Sequence, residues 1–159
     1  MKIDILCVGK IKENYFRDGI AEYCKRLSRY ATVQIMEVKD EKTPENAGEK
    51  EECRIMKAEA QRLEKYRNEN AVCIVLAIEG KQMSSEEFSD FLIKQELSGK
   101  SHLQFIIGGS LGIDEELKRK ADYFISFSKM TFPHQMMRMI LLEQIYRGYR
   151  IKCNEPYHK

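Results

Sequence analysis

The sequence lacks any apolar run that approaches the length of a membrane span. A transmembrane helix needs ~20 consecutive apolar residues, and charged residues, which make up 33% of the 159 positions, interrupt every stretch well before that. The opening residues MKIDILCVGK also hold too few apolar positions for a signal-peptide core of roughly 7–15 residues. These absences argue against a membrane protein and predict a cytoplasmic one.

Paired cysteines and a strong excess of one charge are missing as well. The five cysteines stand singly and none forms a C-x-x-C pair, which argues against a disulfide framework and against a metal site of the zinc type. The formal net charge is only +2. That balance neither requires nor excludes a nucleic-acid partner, so any RNA-binding surface has to be local.

Strand-like and helix-like segments alternate along the chain. Apolar or β-branched runs predict five strands, at Lys2–Val8, Thr32–Val38, Ala71–Ile78, His102–Gly108 and Asp122–Ser128. Helical spacing and start signals predict helices between and after them, at Glu13–Tyr30, from about Gly48, at Ser84–Leu97, at Asp114–Ala121 and at Pro133–Lys152. The alternation predicts an α/β fold with a mostly parallel sheet, in a single domain that spans residues 1–159.

Three loops follow the carboxyl ends of the last three predicted strands, at 76–84, 108–112 and 127–134. Ligands of open parallel sheets bind beyond these ends, so we expect the loops to lie together if their strands are neighbours. The glycine loop GGSLG fits neither the G-x-G-x-x-G nor the G-x-x-x-x-G-K-[ST] phosphate pattern. It is either a backbone cradle for a ligand or only a tight turn between strand and helix.

The last helix is apolar on more than one side, because eight of the eleven residues in 136–146 are apolar. Such a helix must be covered on more than one side. We predict a homodimer in which a second copy covers it. The alternative is a helix buried within one chain, against which the interleaved charges of Arg138, Glu143 and Arg147 argue.

The basic and aromatic residues at the end of the chain allow two interpretations. A solvated, frayed end is the usual state of a terminus. The same side chains could instead hold RNA by stacking, proton transfer and phosphate contact; they are Arg147, Arg150, Lys152, Tyr157, His158 and Lys159. Of the other histidines, we expect His134 to cap the last helix or pack locally and His102 to be solvated.

Several stretches together resemble one known family. VLAIEGKQMSSEEF, FIIGGSLG, SFSKMTFPHQMMRMILLEQIYRGYRI and the closing EPYHK are similar to the ribosomal RNA large subunit methyltransferase H family, and MKIDILCVGKIKENYF fits its N-terminus. The resemblance covers the whole chain. It implies the SPOUT class of methyltransferases, with a parallel sheet, a C-terminal deep trefoil knot, a homodimer and no metal.

The resemblance also implies a cofactor and its binding residues. The cofactor is S-adenosyl-L-methionine, held by the three loops identified above. The residues carried over from the family are Leu76, Gly108, Phe127, Ser128, Lys129, Met130, Thr131 and Phe132.

The implied reaction is methylation at N3 of a pseudouridine in 23S ribosomal RNA. The target lies in the hairpin loop that bridges the ribosomal subunits, and the expected substrate is the assembled 70S ribosome. The substrate side of the site is assigned to Arg147, Tyr157 and His158, which the partner subunit could contribute. His158 is the expected general base, because its ordinary pKa lies near neutrality. Tyr157 is expected to contact the flipped base and Arg147 a phosphate or developing charge.

Two other functions compete with this interpretation. A nucleotide hydrolase would use GGSLG for phosphates, but the following Lys-Ser/Thr and an evident pair of magnesium-binding carboxylates are missing. A non-catalytic ribosome-binding factor would retain the dimer helix and the basic end but would need no cofactor site. Cofactor binding therefore separates the factor from the enzyme.

Overall fold

A five-stranded parallel sheet forms the centre of the molecule, of which a computed structural model describes residues 1–158. The strands are β1 (Lys2–Val8), β2 (Thr32–Val38), β3 (Val72–Gln82), β4 (His102–Ile107) and β5 (Tyr123–Ser126). The helices are α1 (Asn14–Leu27), α2 (Glu49–Glu64), α3 (Ser85–Leu97), α4 (Glu115–Lys118) and α5 (His134–Lys152). The predicted α/β class is confirmed. Lys159 of the chain end lies outside the described residues.

Helices cover both faces of the sheet. On one face, residues such as Ile5 and Phe105 pack against α1, α3 and α5. On the other face, Leu6 and Ile106 pack against α2 and α4. Alternate residues of a strand point to opposite faces. A strand buried on both faces therefore reads as a continuous apolar run, which is why β1 and β4 were visible in the sequence.

The strand order brings the ends of the last three strands together. The order is β2-β1-β4-β3-β5, so β3 lies between β4 and β5. Consecutive strands are not all neighbours, since β5 pairs with β3 and not with β4. The predicted adjacency of the three loops is nevertheless confirmed, because the carboxyl end of β3 lies beside both of the others.

Several predicted boundaries need correction. α4 ends at Lys118 rather than Ala121, and β5 ends at Ser126 rather than Ser128. β3 does not end at Ile78 but continues to Gln82, because a bulge after Leu76 lets Lys81 and Gln82 pair again with β5. α1 ends at Leu27 rather than Tyr30, since the chain turns there with the Tyr30 amide donating to the Leu27 carbonyl at 2.8 Å.

The serine cap predicted for α3 is confirmed in detail. The Ser84 hydroxyl accepts from the Glu87 amide at 3.2 Å, and the Glu87 carboxylate accepts from the Ser84 amide at 2.7 Å. This reciprocal capping box satisfies two backbone donors that the first helical turn leaves free. It fixes the start of α3 directly after β3.

α5 packs against α1 and α3, and part of its apolar surface lies inside the chain. Leu141, Leu142 and Ile145 are fully buried, whereas Ile140 and Tyr146 remain half-buried. The expectation that Arg138 stands outside the protein interior is wrong, because Arg138 is completely buried. Among residues 1–158, no helix is both long and apolar enough to cross a membrane.

Candidate active site

Three strand ends meet at one edge of the sheet. In the strand ladder, Leu76 of β3 lies opposite Ile107 of β4 on one side and Ile125 of β5 on the other. Gly108 follows Ile107 directly, and the loop at 127–132 begins two residues after Ile125. The structure therefore brings together the residues predicted to bind a cofactor.

The glycine loop after β4 is too tight for side chains. A Cβ at Gly108 would lie 2.6 Å from the carbonyl oxygen of Gly112, and Gly112 itself has φ of +96°. The Gly112 amide donates to the Gly109 carbonyl at 3.1 Å and closes the turn. The glycines thus satisfy the tight-turn interpretation, because Gly112 and Ile113 occupy the space that a side chain at Gly108 would need.

The end of β3 lies in close backbone contact with its parallel neighbour β5. A Cβ at Gly80 would lie 2.7 Å from the backbone nitrogen and carbonyl carbon of Ile125. The residues between Leu76 and Lys81 bulge out of the ladder just before this point. The absence of a side chain at Gly80 lets the end of β3 lie directly against β5.

The loop after β5 is shaped by serine hydroxyls. Ser126 donates to the carbonyl of Ser128 at 2.9 Å, and the Ser128 hydroxyl accepts from the Met130 amide at 3.0 Å. Phe127 is partly buried and packs edge-on against Phe88, with ring centroids 6.2 Å apart. The tip of the loop is exposed, and Met130 keeps 72% of its surface in contact with solvent.

The end of the chain folds back onto α5 rather than fraying. Asn154 adopts a positive φ of 54°, which reverses the chain after the helix. Glu155 then binds Arg150 and accepts a hydrogen bond of 2.5 Å from the Tyr30 hydroxyl. The end of the chain is therefore not frayed, because Glu155, Tyr157 and His158 are partly buried, although Cys153, Asn154 and Pro156 remain exposed to solvent.

The three substrate-side residues predicted from the sequence lie together around Glu143. Arg147 donates to this carboxylate from Nη2 at 2.5 Å and from Nε at 3.0 Å, and the Tyr157 hydroxyl donates at 3.2 Å. The Arg147 guanidinium lies over the Tyr157 ring, 4.7 Å from its centroid. We call Glu86, Glu143, Arg147, Tyr157 and His158 the tail cluster.

His158 lies between the Glu86 carboxylate and the Arg147 guanidinium. Its Nε2 lies 2.7 Å from the Glu86 carboxylate, and its Nδ1 lies 3.4 Å from Nη1 of Arg147. Nε2 donates to Glu86 when it carries the proton, which leaves Nδ1 as the acceptor. Backbone and Ser84 hydrogen bonds, together with His158, lower the pKa of Glu86 to about 2, so this acid stays ionised.

Burial sets the protonation state of Tyr157, and pairing with Glu143 sets that of Arg147. Burial of Tyr157 raises the pKa of its hydroxyl, which keeps the group protonated as a donor. The hydrogen bonds to Glu143 raise the pKa of Arg147. The tail cluster therefore contains a guanidinium paired with Glu143, a neutral phenol and an imidazole whose tautomer is set by the ionised Glu86.

From the sequence alone, Glu86, Glu143 and Gln144 have no site role, and Glu143 stands out only as one of the interleaved charges of the last helix. Gln144 donates to Glu143 at 2.6 Å and accepts from the Ser85 hydroxyl at 2.8 Å, which links α5 to the start of α3. The spacing of Glu143 and Arg147 was a usable signal, because residues four apart face each other on a helix. Glu86 gave no such signal, since its partner His158 is 72 residues away.

The two groups of predicted residues form separate clusters within one chain. Among residues 1–158, no hydrogen bond or ion pair joins the tail cluster to Leu76, Gly108 or the loop at 127–132. His134 belongs to neither cluster; it packs against Gly9 and makes no capping hydrogen bond. No group of three or more metal-binding side chains is found in the same described residues.

Comparison with known proteins agrees with the family resemblance seen in the sequence. A family model described as "Predicted SPOUT methyltransferase" matches residues 1–158. Relatives named ribosomal RNA large subunit methyltransferase H from Bifidobacterium adolescentis, Clostridium kluyveri and Streptococcus equi subsp. zooepidemicus are 56%, 55% and 50% identical over 159 residues, with 100% of both chains covered. The chain therefore belongs to the SPOUT methyltransferases, in the ribosomal RNA large subunit methyltransferase H family.

Proposed function

We propose that this protein transfers a methyl group from S-adenosyl-L-methionine to N3 of a pseudouridine in 23S ribosomal RNA. The target base lies in the hairpin loop of the intersubunit bridge, and the substrate is the assembled 70S ribosome in the cytoplasm. The observation that carries the proposal is full-length similarity to relatives named for ribosomal RNA methylation, at 50–56% identity. Residues 1–159 act as one methyltransferase domain.

The edge formed by the three strand ends fits this cofactor. The tight turn at Gly108 holds backbone groups at this edge for an adenosyl group, and Leu76 and Phe127 offer partly buried apolar surface beside it. Exposed residues of the following loop are free to close over a ligand: Lys129, Met130 and Thr131. When bound, the cofactor supplies a methyl group on a positively charged sulfur. We also propose that these loops form the deep trefoil knot of the SPOUT class, in which the end of β3 lies close against β5 at Gly80.

The tail cluster supplies the groups that the acceptor base needs. N3 of pseudouridine must lose its proton before or during methyl transfer, and His158 accepts that proton at Nδ1. Glu86 holds Nε2 and so fixes the tautomer and orientation of the ring, as an acid does for a catalytic histidine elsewhere. Arg147 binds a phosphate or the charge that develops on the base carbonyls. Tyr157 contacts the base.

A homodimer brings the two clusters into one site. Within a chain the tail cluster and the cofactor edge are not bonded to each other, and the half-buried apolar residues of α5 leave surface for a second copy. We therefore place the tail of one subunit against the cofactor edge of its partner. Each dimer then holds two equivalent sites.

Methyl transfer to ribosomal particles tests the proposal. The protein is incubated with radiolabelled S-adenosyl-L-methionine and either 70S ribosomes or 50S subunits, and the labelled nucleoside is mapped. We expect label at N3 of one pseudouridine in 23S RNA, with 70S preferred.

His158→Ala should abolish most turnover while cofactor binding is retained. Cofactor binding without transfer to either particle would overturn the substrate, and failure to bind cofactor would favour a non-catalytic ribosome-binding factor.

A further inference from the structure

A polar cleft opens at the end of the sheet that the proposed function does not use. It has a volume of about 500 Å³ and lies where β1 and β4 begin, at the opposite end of β4 from Gly108. Asp4 lies opposite Gln34 and Gln104 in the strand ladder, so these three polar side chains share one face of the sheet. α2, which covers this face further along, ends at Glu64, and the three residues line the cleft beyond its end.

Asp4 is buried at the base of this cleft with one oxygen unpaired. Its side chain is only 4% exposed. Oδ2 accepts from Gln104 at 3.0 Å and lies 2.7 Å from Nε2 of His102, so the expectation of a solvated His102 is wrong. Among residues 1–158, no group donates a hydrogen bond to Oδ1 of Asp4, and the Lys2 ammonium stays at 3.8 Å. Because buried acceptors are nearly always hydrogen-bonded, Oδ1 can accept a hydrogen bond from a donor outside the described chain.

The residues around Asp4 are held rigidly. Gln104 is 1% exposed and donates to the Tyr66 carbonyl at 3.0 Å, while its oxygen accepts from the Asn68 amide at 2.8 Å. These bonds fix the connection after α2 against the sheet. The cleft is therefore a preorganised arrangement of polar groups and not a gap between mobile loops.

The lining selects a flat, neutral donor over a cation. Lys2 already balances the charge of Asp4, so a second positive group would meet repulsion. Tyr66 is 49% exposed and lines the cleft together with Met36. Aromatic and apolar walls suit the face of a heterocycle, and the amide of Gln34 can both donate to and accept from its edge.

We propose that this cleft binds a nucleobase with an exocyclic amino group, whose N–H donates to Oδ1 of Asp4. Cytosine is the simplest such base. The site goes beyond the proposed methyl transfer, because it lies at the other end of the sheet and involves no residue of the cofactor edge or the tail cluster. It would give the protein a second base contact on an RNA partner.

Titration of the isotope-labelled full chain with two nucleotides tests the inference. Cytidine and uridine 5′-monophosphates share sugar and phosphate and differ at the amino position. Adenosine nucleotides are avoided, since the proposed cofactor contains adenosine. We expect roughly tenfold or greater preference for the cytidine nucleotide, because an unmatched buried acceptor strongly disfavours the keto analogue. The shifted resonances should belong to Tyr66, Asn68 and His102.

Substitutions in the cleft test whether the preference for the cytidine nucleotide arises there. Asp4→Asn should reduce the preference to within about twofold, since its amide can donate to the uridine carbonyl. Tyr66→Ala keeps the backbone contact to Gln104 and should weaken cytidine nucleotide binding roughly tenfold by loss of stacking. Tyr15→Ala, an exposed tyrosine on α1, should leave it unchanged. Equal affinity for both nucleotides, or binding that Tyr66→Ala leaves intact, would overturn the inference whether or not methyl transfer is observed.

Discussion

Arg138 ties three parts of the chain together through one guanidinium group. From α5 it donates to the carbonyls of Val8 and Gly9 at 3.0 and 2.5 Å and pairs with Glu37 of β2 at 2.5 Å. A buried charge is tolerated only when it is paired and hydrogen-bonded, and the two terminal nitrogens of Arg138 meet both conditions, while its buried Nε has no hydrogen-bond partner among residues 1–158. It therefore fixes α5 against the carboxyl ends of β1 and β2.

Removal of Arg138 should destabilise the fold strongly. Arg138→Ala leaves the buried carbonyls of Val8 and Gly9 without their charged donor, and a buried acceptor left unpaired costs about 1–3 kcal/mol. We expect a loss of that size in the free energy of unfolding, measured by urea titration at fixed protein concentration. Arg26→Ala, which breaks the exposed pair with Glu22, is the matched control and should change stability little. Equal effects of the two substitutions would contradict this role.

His134 should make stability depend on pH. Burial, followed by the charge of Arg138, lowers its pKa below the ordinary value of 6.5. The unfolded chain then binds more protons than the folded chain below about pH 6.5, so stability falls as the pH falls through that window. In urea titrations between pH 8 and pH 5, His134→Gln should lose less stability than the native chain. Parallel losses would show that His134 does not contribute.

At the scale of elements, the turn between β4 and α4 positions the proposed cofactor edge. The geometry of this edge depends on contacts between backbone atoms, at Gly108 with Gly112 within the turn and at Gly80 of β3 with Ile125 of β5. Backbone atoms cannot move aside as the end of a flexible side chain can. Substitutions at these glycines should therefore distort the edge rather than simply fill space.

Gly108→Ala should abolish cofactor binding. The new methyl group would lie 2.6 Å from the Gly112 carbonyl oxygen and would force the turn open. We expect at least roughly a hundredfold loss of affinity for S-adenosyl-L-methionine in calorimetry, since displacement of a binding group by about 1 Å has effects of this size on a site. Gly48→Ala is the control, because its added Cβ meets no atom within 4 Å. Full binding by Gly108→Ala would remove this loop from the cofactor site.

At the scale of the whole molecule, the division of the site between two clusters leads to a test of the dimer. Gly108→Ala disables the cofactor edge and His158→Ala disables the tail cluster. If the tail acts on the partner, a dimer of the two variants holds one site with both defects and one intact site. Random mixing after denaturation and refolding should restore about a quarter of native turnover, because half of the dimers are mixed. Mixtures that stay as inactive as each variant alone would mean that the tail acts within its own chain.

Local patterns in the sequence determined the elements of this protein. The apolar runs of β1 and β4, the helical periodicity of α1 and the Ser84 cap each depend on residues close together in the chain. They predicted the parallel α/β class and placed the candidate ligand loops at the strand ends. The family motifs at 76–84, 108–112 and 127–134 added the cofactor and reaction proposed here.

Only the tertiary structure decided the contacts between distant residues. The bulge that extends β3 depends on pairing with β5, and the burial of Arg138 depends on carbonyls about 130 positions away. The pairing of His158 with Glu86 and the cleft at Asp4 likewise join segments 72 to 100 residues apart. Short-range periodicity carries no information on such pairs, because the free energy that fixes them comes from burial and hydrogen bonds made when the whole sheet assembles.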